Sequence, residues 1–352
     1  IGQVRRVMGD ALVGINGQYS QLSQVGIAFQ KDGSLALDNN KLQSAIDGNF
    51  SDIPALFANI GRPSDSLVNF VSATDKTVAG SYSLDITQLS TQGLLNGAST
   101  ASLAHTAGTF SAPFVIDADN TTLSLKIDGI QSGTITLAQG SYATAAALTA
   151  EIQSKINGDG ALKAAGVAAS VTFDGTSSLL NITSDRYGSA SSVEVTGAGT
   201  TSASTLGISA AAGTTGLDVA GSINGITATG SGRFLTGVGG SIDGLKLEIA
   251  GGSTGERGTV SYSLGYAYRL DQLATRLLGD TGPISSRTKG INSSVSDIND
   301  RREVLGRRLA EIENRYRAQF TALDTLLAQL RSTSDYLTQQ LQSLPGFTSS
   351  KG

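Results

Sequence analysis

Residues 291–344, INSSVSDINDRREVLGRRLAEIENRYRAQFTALDTLLAQLRSTSDYLTQQLQSL, repeat their side-chain character at alternating steps of four and three. One row runs Val295, Arg302, Leu309, Tyr316, Leu323, Leu330, Leu337, Leu344. The other runs Ile291, Ile298, Leu305, Ile312, Gln319, Leu326, Thr333. This is a heptad pattern sustained for more than six repeats, the period that keeps one seam facing a partner helix. Gly306 is the one weak helix former in its centre, and no proline interrupts it before Pro345. A helix over about 287–344 would be roughly 85 Å long. No single domain core buries a rod of that length, so it needs another helix, from this chain or from a neighbouring one. The expected packing or oligomer seam is Ile291, Val295, Ile298, Leu305, Leu309, Ile312, Tyr316, Leu323, Leu326, Leu330 and Leu337. Arg302 and Gln319 interrupt the rows; they either snorkel to water or set register and oligomer number.

Working outward, the N-terminal end is also helical in pattern. Val4, Val7, Met8, Leu12 and Ile15 form one stripe, which Tyr19, Leu22 and Val25 extend. Ile27 and Phe29 alternate, Asp32-Gly33 supplies a hairpin turn, and Leu35 and Leu37 alternate again. Asp38 can cap a helix bearing Leu42, Ala45 and Ile46, and a further turn carries Ile53, Leu56 and Phe57. Leu67, Phe70 and Val71 read as a short helix.

From Gly80 the chain turns rich in Gly, Ser and Thr, with β-type alternation. SYSLDITQL places Tyr82, Leu84 and Ile86 on one face of a strand. LSLKIDGIQSGTITL reads as a hairpin and SYATAAALTAEIQSKIN as a helix with Ala147, Leu148, Ile152 and Ile156 inward. AASVTFDG and SLLNITSD are two more strands, and INGITATGSG, IDGLKLEIAGG and GTVSYSLGY form a second β-rich portion. The expected class is therefore α+β: a long coiled-coil-like helical leg with a β-rich inserted head of one or two small modules. The divisions are 1–77, a helical leg segment with a small hairpin; 78–215 and 216–265, the two head portions; 266–344, the heptad-patterned leg; and 345–352, a flexible tail. A fragment of about 78–262 is expected to fold alone.

Composition narrows the function. Only 15% of the 352 residues are charged, the net charge is −4, and residues 81–250 carry 6 Lys and Arg against 12 Asp and Glu. The electrostatic footprint of a nucleic-acid binder is missing, and no run reaches the roughly 18 apolar residues of a membrane span. With no cysteine and one histidine, thiolate chemistry and a zinc set are unsupported. GGSTG at 251–255 matches the G-x-S-x-G elbow, but the only histidine, His105, precedes it in the chain, against the order such triads follow. Residues 117–128 imitate a calcium loop with Thr122 where glycine belongs, and TGVGG at 236–240 lacks the Lys-Ser/Thr of a phosphate loop. All three read as turns. Arg301, Arg302, Arg307 and Arg308 read as a solvated face, with Glu303–Arg307 and Glu311–Arg315 as i,i+4 pairs. No catalytic residue, cofactor or metal is expected, and the chain is not read as an enzyme.

Several blocks resemble the flagellar filament-capping family, also called hook-associated protein 2. IGQVRRVMGDAL (1–12), LSQVGIAFQKDGSLALDNNKLQSAI (22–46) and SDIPALF (51–57) resemble its helical leg. Residues 297–341, DINDRREVLGRRLAEIENRYRAQFTALDTLLAQLRSTSDYLTQQL, resemble its C-terminal leg. Residues 123–157 look like the IN motif of flagellar axial proteins, and GSGRFLTGVGGSIDGLKLEI (230–249) like head sequence of some caps. The resemblance implies export through the flagellar type III apparatus without a cleaved signal peptide, an extracellular place at the filament tip, and a homo-oligomeric ring. It implies flagellin, hook–filament junction proteins and an export chaperone as partners. The chain departs from the pattern in lacking the family's N-terminal helix and in carrying a large β-insertion over 61–265, and it is read as beginning inside a longer protein. The alternative is an adhesin binding mucin or glycans through the head.

Overall fold

The computed structural model describes residues 2–15, 17–106 and 108–343. The expected tail, 345–352, and Leu344 lie outside them. The chain divides after Asp271 into two units.

The first unit begins with a leg segment whose core is Leu12, Tyr19, Leu22, Val25, Ala45, Leu56 and Tyr266. Helix covers only Gly2–Gly9, not the longer stretch expected. Gly14, beyond its end, sits at φ +78°, and a Cβ there would stand 2.0 Å from the Tyr262 carbonyl oxygen. Leu12, Tyr19, Leu22 and Val25 are nevertheless buried, through turns and a 3-10 segment Leu22–Val25. Ile27–Phe29 pairs with Leu35–Leu37 in the expected hairpin. Asp38 caps Asn39–Asn49 by accepting the Asn40 and Lys41 amides at 3.1 and 3.2 Å. Tyr266 reaches this core only after the chain has returned from the head, and its hydroxyl donates to the Asp10 carbonyl at 2.7 Å.

An eight-stranded antiparallel sheet follows. Its order is Ile60–Pro63, Gly255–Ser263, Gly80–Gln88, Ala220–Ile223, Ile226–Ser231, Phe234–Thr236, Lys246–Ile249, Val68–Ser72. Residues 67–71 are therefore not the expected helix. Phe70 and Val68 alternate inward as strand residues paired to Leu247 and Ile249, because the tertiary partner outweighs a short local pattern. The two end strands meet: the Phe70 ring lies where a Cβ on Gly61 would be, 2.2 Å away. The core is built from alternate residues, among them Tyr82, Leu84, Ile86, Leu235, Leu247 and Tyr262.

Between Gly80–Gln88 and Ala220–Ile223 the sheet is interrupted by a second module with its own core, including Phe114, Leu125, Leu148, Ile152, Ile156 and Ile182. Three small sheets surround the helix Ala145–Asn157, which Thr144 caps by accepting the Ala147 amide at 3.2 Å. Residues 140–144 are strand rather than the start of that helix, and Ala145 takes the inward place expected of Ala147, which is exposed. The core boundary therefore does not fall at 78. Strands 60–72 and 80–88 belong with 220–263, because their backbone partners lie there.

In the second unit Pro283–Ser343 is one helix of 61 residues, about 90 Å long at 1.5 Å per residue. Gly279 and Gly282 separate it from Tyr266–Leu278.

Candidate assembly surface

From residue 286 to 343 every residue of the long helix is exposed. Leu309 is 58% exposed, Leu323 49% and Ile291 54%, and Val295, Ile298, Leu305, Ile312, Tyr316, Leu326, Leu330 and Leu337 are likewise exposed. An isolated helix gains nothing from a continuous apolar stripe. Burying one Leu or Ile is worth roughly 1.5–3 kcal/mol, and contiguous apolar surface of this extent is uncommon on a monomer. The structure thus makes the helix but provides no partner for its seam among the described residues.

Charged side chains of this helix pair along it or lie against it. Glu303 and Arg307 pair at 3.2 Å as expected. The second pair is Glu313–Arg317 at 2.7 Å, while Arg315 instead extends over the Tyr316 ring at 5.9 Å. Such exposed pairs contribute only a few tenths of a kcal/mol. Thr333, on an apolar row, donates its hydroxyl to the Gln329 carbonyl at 2.8 Å, which satisfies the hydroxyl within the helix itself. Arg302 and Gln319 are exposed like their neighbours.

The motifs weighed for chemistry resolve into structure. GGSTG wraps a buried arginine: Arg257 Nη1 donates to the Gly251 and Ser253 carbonyls at 2.8 and 3.0 Å. Gly252 adopts φ +100°, and a Cβ there would stand 2.7 Å from the guanidinium. His105 belongs to the inserted module, 3.4 Å from Ser178 Oγ and edge-on to Phe173. Residues 117–120 form a side-chain-closed turn, with Asp117 accepting the Asp119 amide at 2.9 Å and Asn120 the Asp117 amide at 2.8 Å. Gly239 in TGVGG donates to Asp243 at 3.3 Å. Among the described residues no cluster of three or more His, Cys, Asp or Glu is placed to hold a metal, and no helix is long and apolar enough to cross a membrane.

Sequence reasoning missed the polar clasps that tie distant segments. Asp52 accepts the Gln18 amide at 2.9 Å and pairs with Arg62, whose Nη2 donates to the Ser51 carbonyl at 2.7 Å. The Gln18 amide, then Arg62, hold its carboxyl below the usual carboxylate range. Asp65 pairs with Arg257, and that guanidinium, with the Leu67 amide, lowers its carboxyl likewise. Asp218 accepts from Ser189 and Gly232. No spacing along the chain signals them, because their partners lie far apart in sequence.

The fold is that of a nested β-rich head inserted between helical segments, with an apolar heptad row exposed along the long C-terminal helix. Residues 2–332 match the family described as flagellar hook-associated protein 2 C-terminus, and the chain belongs to that family. The chain is similar to the A-type flagellar hook-associated protein 2 of Pseudomonas aeruginosa, 37% identical over 82 residues, which are 23% of this chain and 17% of that protein. It is similar to the flagellar hook-associated protein 2 of Salmonella typhimurium, 34% identical over 67 residues, 19% of this chain and 14% of the relative. The matched stretches thus span under a fifth of those relatives. Among solved structures, FliD (HAP2) from Pseudomonas aeruginosa gives TM-score 0.36 at 21% identity, covering 66% of this chain and 95% of that one. Three domains of the flagellar cap protein FliD from Escherichia coli give 0.37 at 15%, covering 62% and 63%. Superpositions this loose add nothing to the family match.

Proposed function

We propose that this chain is a large part of the structural cap at the distal end of the bacterial flagellar filament. It assembles with copies of itself into a ring through the helical leg, and the ring promotes folding and insertion of flagellin. Export through the flagellar apparatus, an export chaperone and contacts with hook–filament junction proteins belong to the same reading. The observation that carries it is the exposed seam of Pro283–Ser343 in a chain of the hook-associated protein 2 family. Packing of an apolar seam against a partner helix is what supplies most of the stability of such a helix in water. The test is deletion of the gene in its own organism. Flagellin secreted as monomer, with filament growth restored by the full-length gene, is the expected result. Normal filaments in the deletion strain would refute the proposal. No observation favours the mucin- or glycan-binding alternative.

A further inference from the structure

The inserted module and the sheet it interrupts have separate apolar cores. Two segments join them, residues 89–91 leaving and 213–219 returning. They run side by side: the Thr91 amide donates to the Leu217 carbonyl at 2.9 Å, and the Leu217 amide to Thr91 Oγ1 at 2.9 Å. Two adjacent backbone segments between separate cores define a hinge line, and such junctions bend unless something fixes them.

The Asp218 side chain spans the gap beside that line. Asp218 Oδ1 accepts the Ser189 amide at 3.1 Å and the Gly232 amide at 2.6 Å, and Oδ2 accepts the Ser189 hydroxyl at 2.6 Å. Ser189 follows the strand Leu179–Tyr187 of the inserted module, whereas Gly232 lies in the turn between Ile226–Ser231 and Phe234–Thr236 of the sheet. The approach is close enough to demand glycine. Gly188 has φ +99°, and a Cβ on it would lie 2.3 Å from Asp218 Oδ1 and 2.6 Å from the Gly232 Cα. Alongside, the Arg233 guanidinium of the sheet covers the Tyr187 ring of the inserted module at 4.7 Å and stands 3.7 Å from Glu248.

We infer that Asp218 is a latch that fixes the angle between the two head modules, so that the head moves as one rigid body. Hydrogen bonds to a carboxylate are roughly twice as strong as neutral ones, and these three reach both modules at once. The charged groups sharing the cleft are Asp185, Arg186, Arg233 and Glu248. Arg233 is engaged by Tyr187 and Glu248, and the groups that bind Asp218 are two amides and a hydroxyl.

The chain has no cysteine, so nitroxide labels can be placed at the exposed positions Lys163 and Thr227 by Lys163→Cys and Thr227→Cys in the whole protein. Pulsed electron–electron distance measurements at neutral pH should give one narrow distribution. Asp218→Ala should widen it about twofold with unchanged far-UV circular dichroism. Asp218→Asn, which keeps an acceptor oxygen for the two amides, should retain most of the narrowness. A distribution as narrow in Asp218→Ala as in the parent, or one already broad in the parent, would overturn the latch. Where Asp218→Ala does not fold, Ser189→Ala, which removes only the hydroxyl donor, decides: widening supports the latch and parental width overturns it.

Discussion

Asp65 and Arg257 stand 192 residues apart in the chain and form an ion pair in which the arginine side chain is 4% exposed. Asp65 precedes the strand Val68–Ser72 and Arg257 lies in Gly255–Ser263, so the pair closes the sheet where the chain enters and leaves the head. Next to it the Thr259 amide donates to Ser64 Oγ at 2.9 Å.

Removing one partner of this pair strands a buried charge. Asp65→Ala should therefore lower head stability by about 3 kcal/mol. Adding Arg257→Leu to Asp65→Ala should recover part of that loss, because the uncompensated charge goes with it. Urea denaturation followed by circular dichroism measures both. A single variant as stable as the parent would show that Arg257 finds enough partners in the 251–253 carbonyls alone.

The limits of the head are testable by fragments. Residues 78–262, the division suggested by composition, omit Ile60–Pro63 and Val68–Ser72, which form the two ends of the eight-stranded sheet. A fragment of residues 60–263 should be soluble and melt cooperatively. The 78–262 fragment should lose the transition of that sheet and keep the transition of the inserted module, whose core lies between Leu95 and Ile208. Equal cooperativity in the two fragments would mean that the end strands are dispensable.

The seam has its own test. Leu309→Asp in the full-length protein should leave head unfolding unchanged, since Leu309 lies in the second unit, outside both head cores. A buried charge without a partner costs several kcal/mol, so helix association and filament capping should fail. Light scattering and filament length in the variant strain give the readout. Oligomers and filaments of parental size would place this face in solvent in the assembled state.

Acid should loosen the first unit. Asp52 is held low by the Gln18 amide and then Arg62, Asp65 by Arg257 and then the Leu67 amide, and Asp218 by the Ser189 hydroxyl and then the Gly232 amide. Each carboxylate is favoured in the folded state, so its contribution is present above the unfolded value of about 3.9 and is lost as pH falls through the lower folded value. The urea midpoint should stay nearly level between about pH 5 and 7 and drop below about pH 4. Asp65→Asn should make that drop shallower. A midpoint that rises on acidification below pH 4 would contradict the assigned sign.

The sequence by itself determined the elements whose signal is local and periodic. Heptad spacing specified the helix Pro283–Ser343 to within a few residues of its start, alternation placed Tyr82, Leu84 and Ile86 in the core, and Asp38 marked a helix start. Those patterns depend on residues within a turn or a strand of one another. What only the tertiary structure decided depends on residues far apart. Residues 67–71 became a strand because Lys246–Ile249 offered them backbone partners. The head divided as a sheet with a module inserted in it, because Gly80–Gln88 pairs with Ala220–Ile223 and Gly255–Ser263 across more than 130 residues. Asp65–Arg257 and the Asp218 latch were silent in the sequence for the same reason. A carboxylate and its donors announce themselves only when folding brings them within hydrogen-bond distance, and no spacing along the chain encodes that meeting.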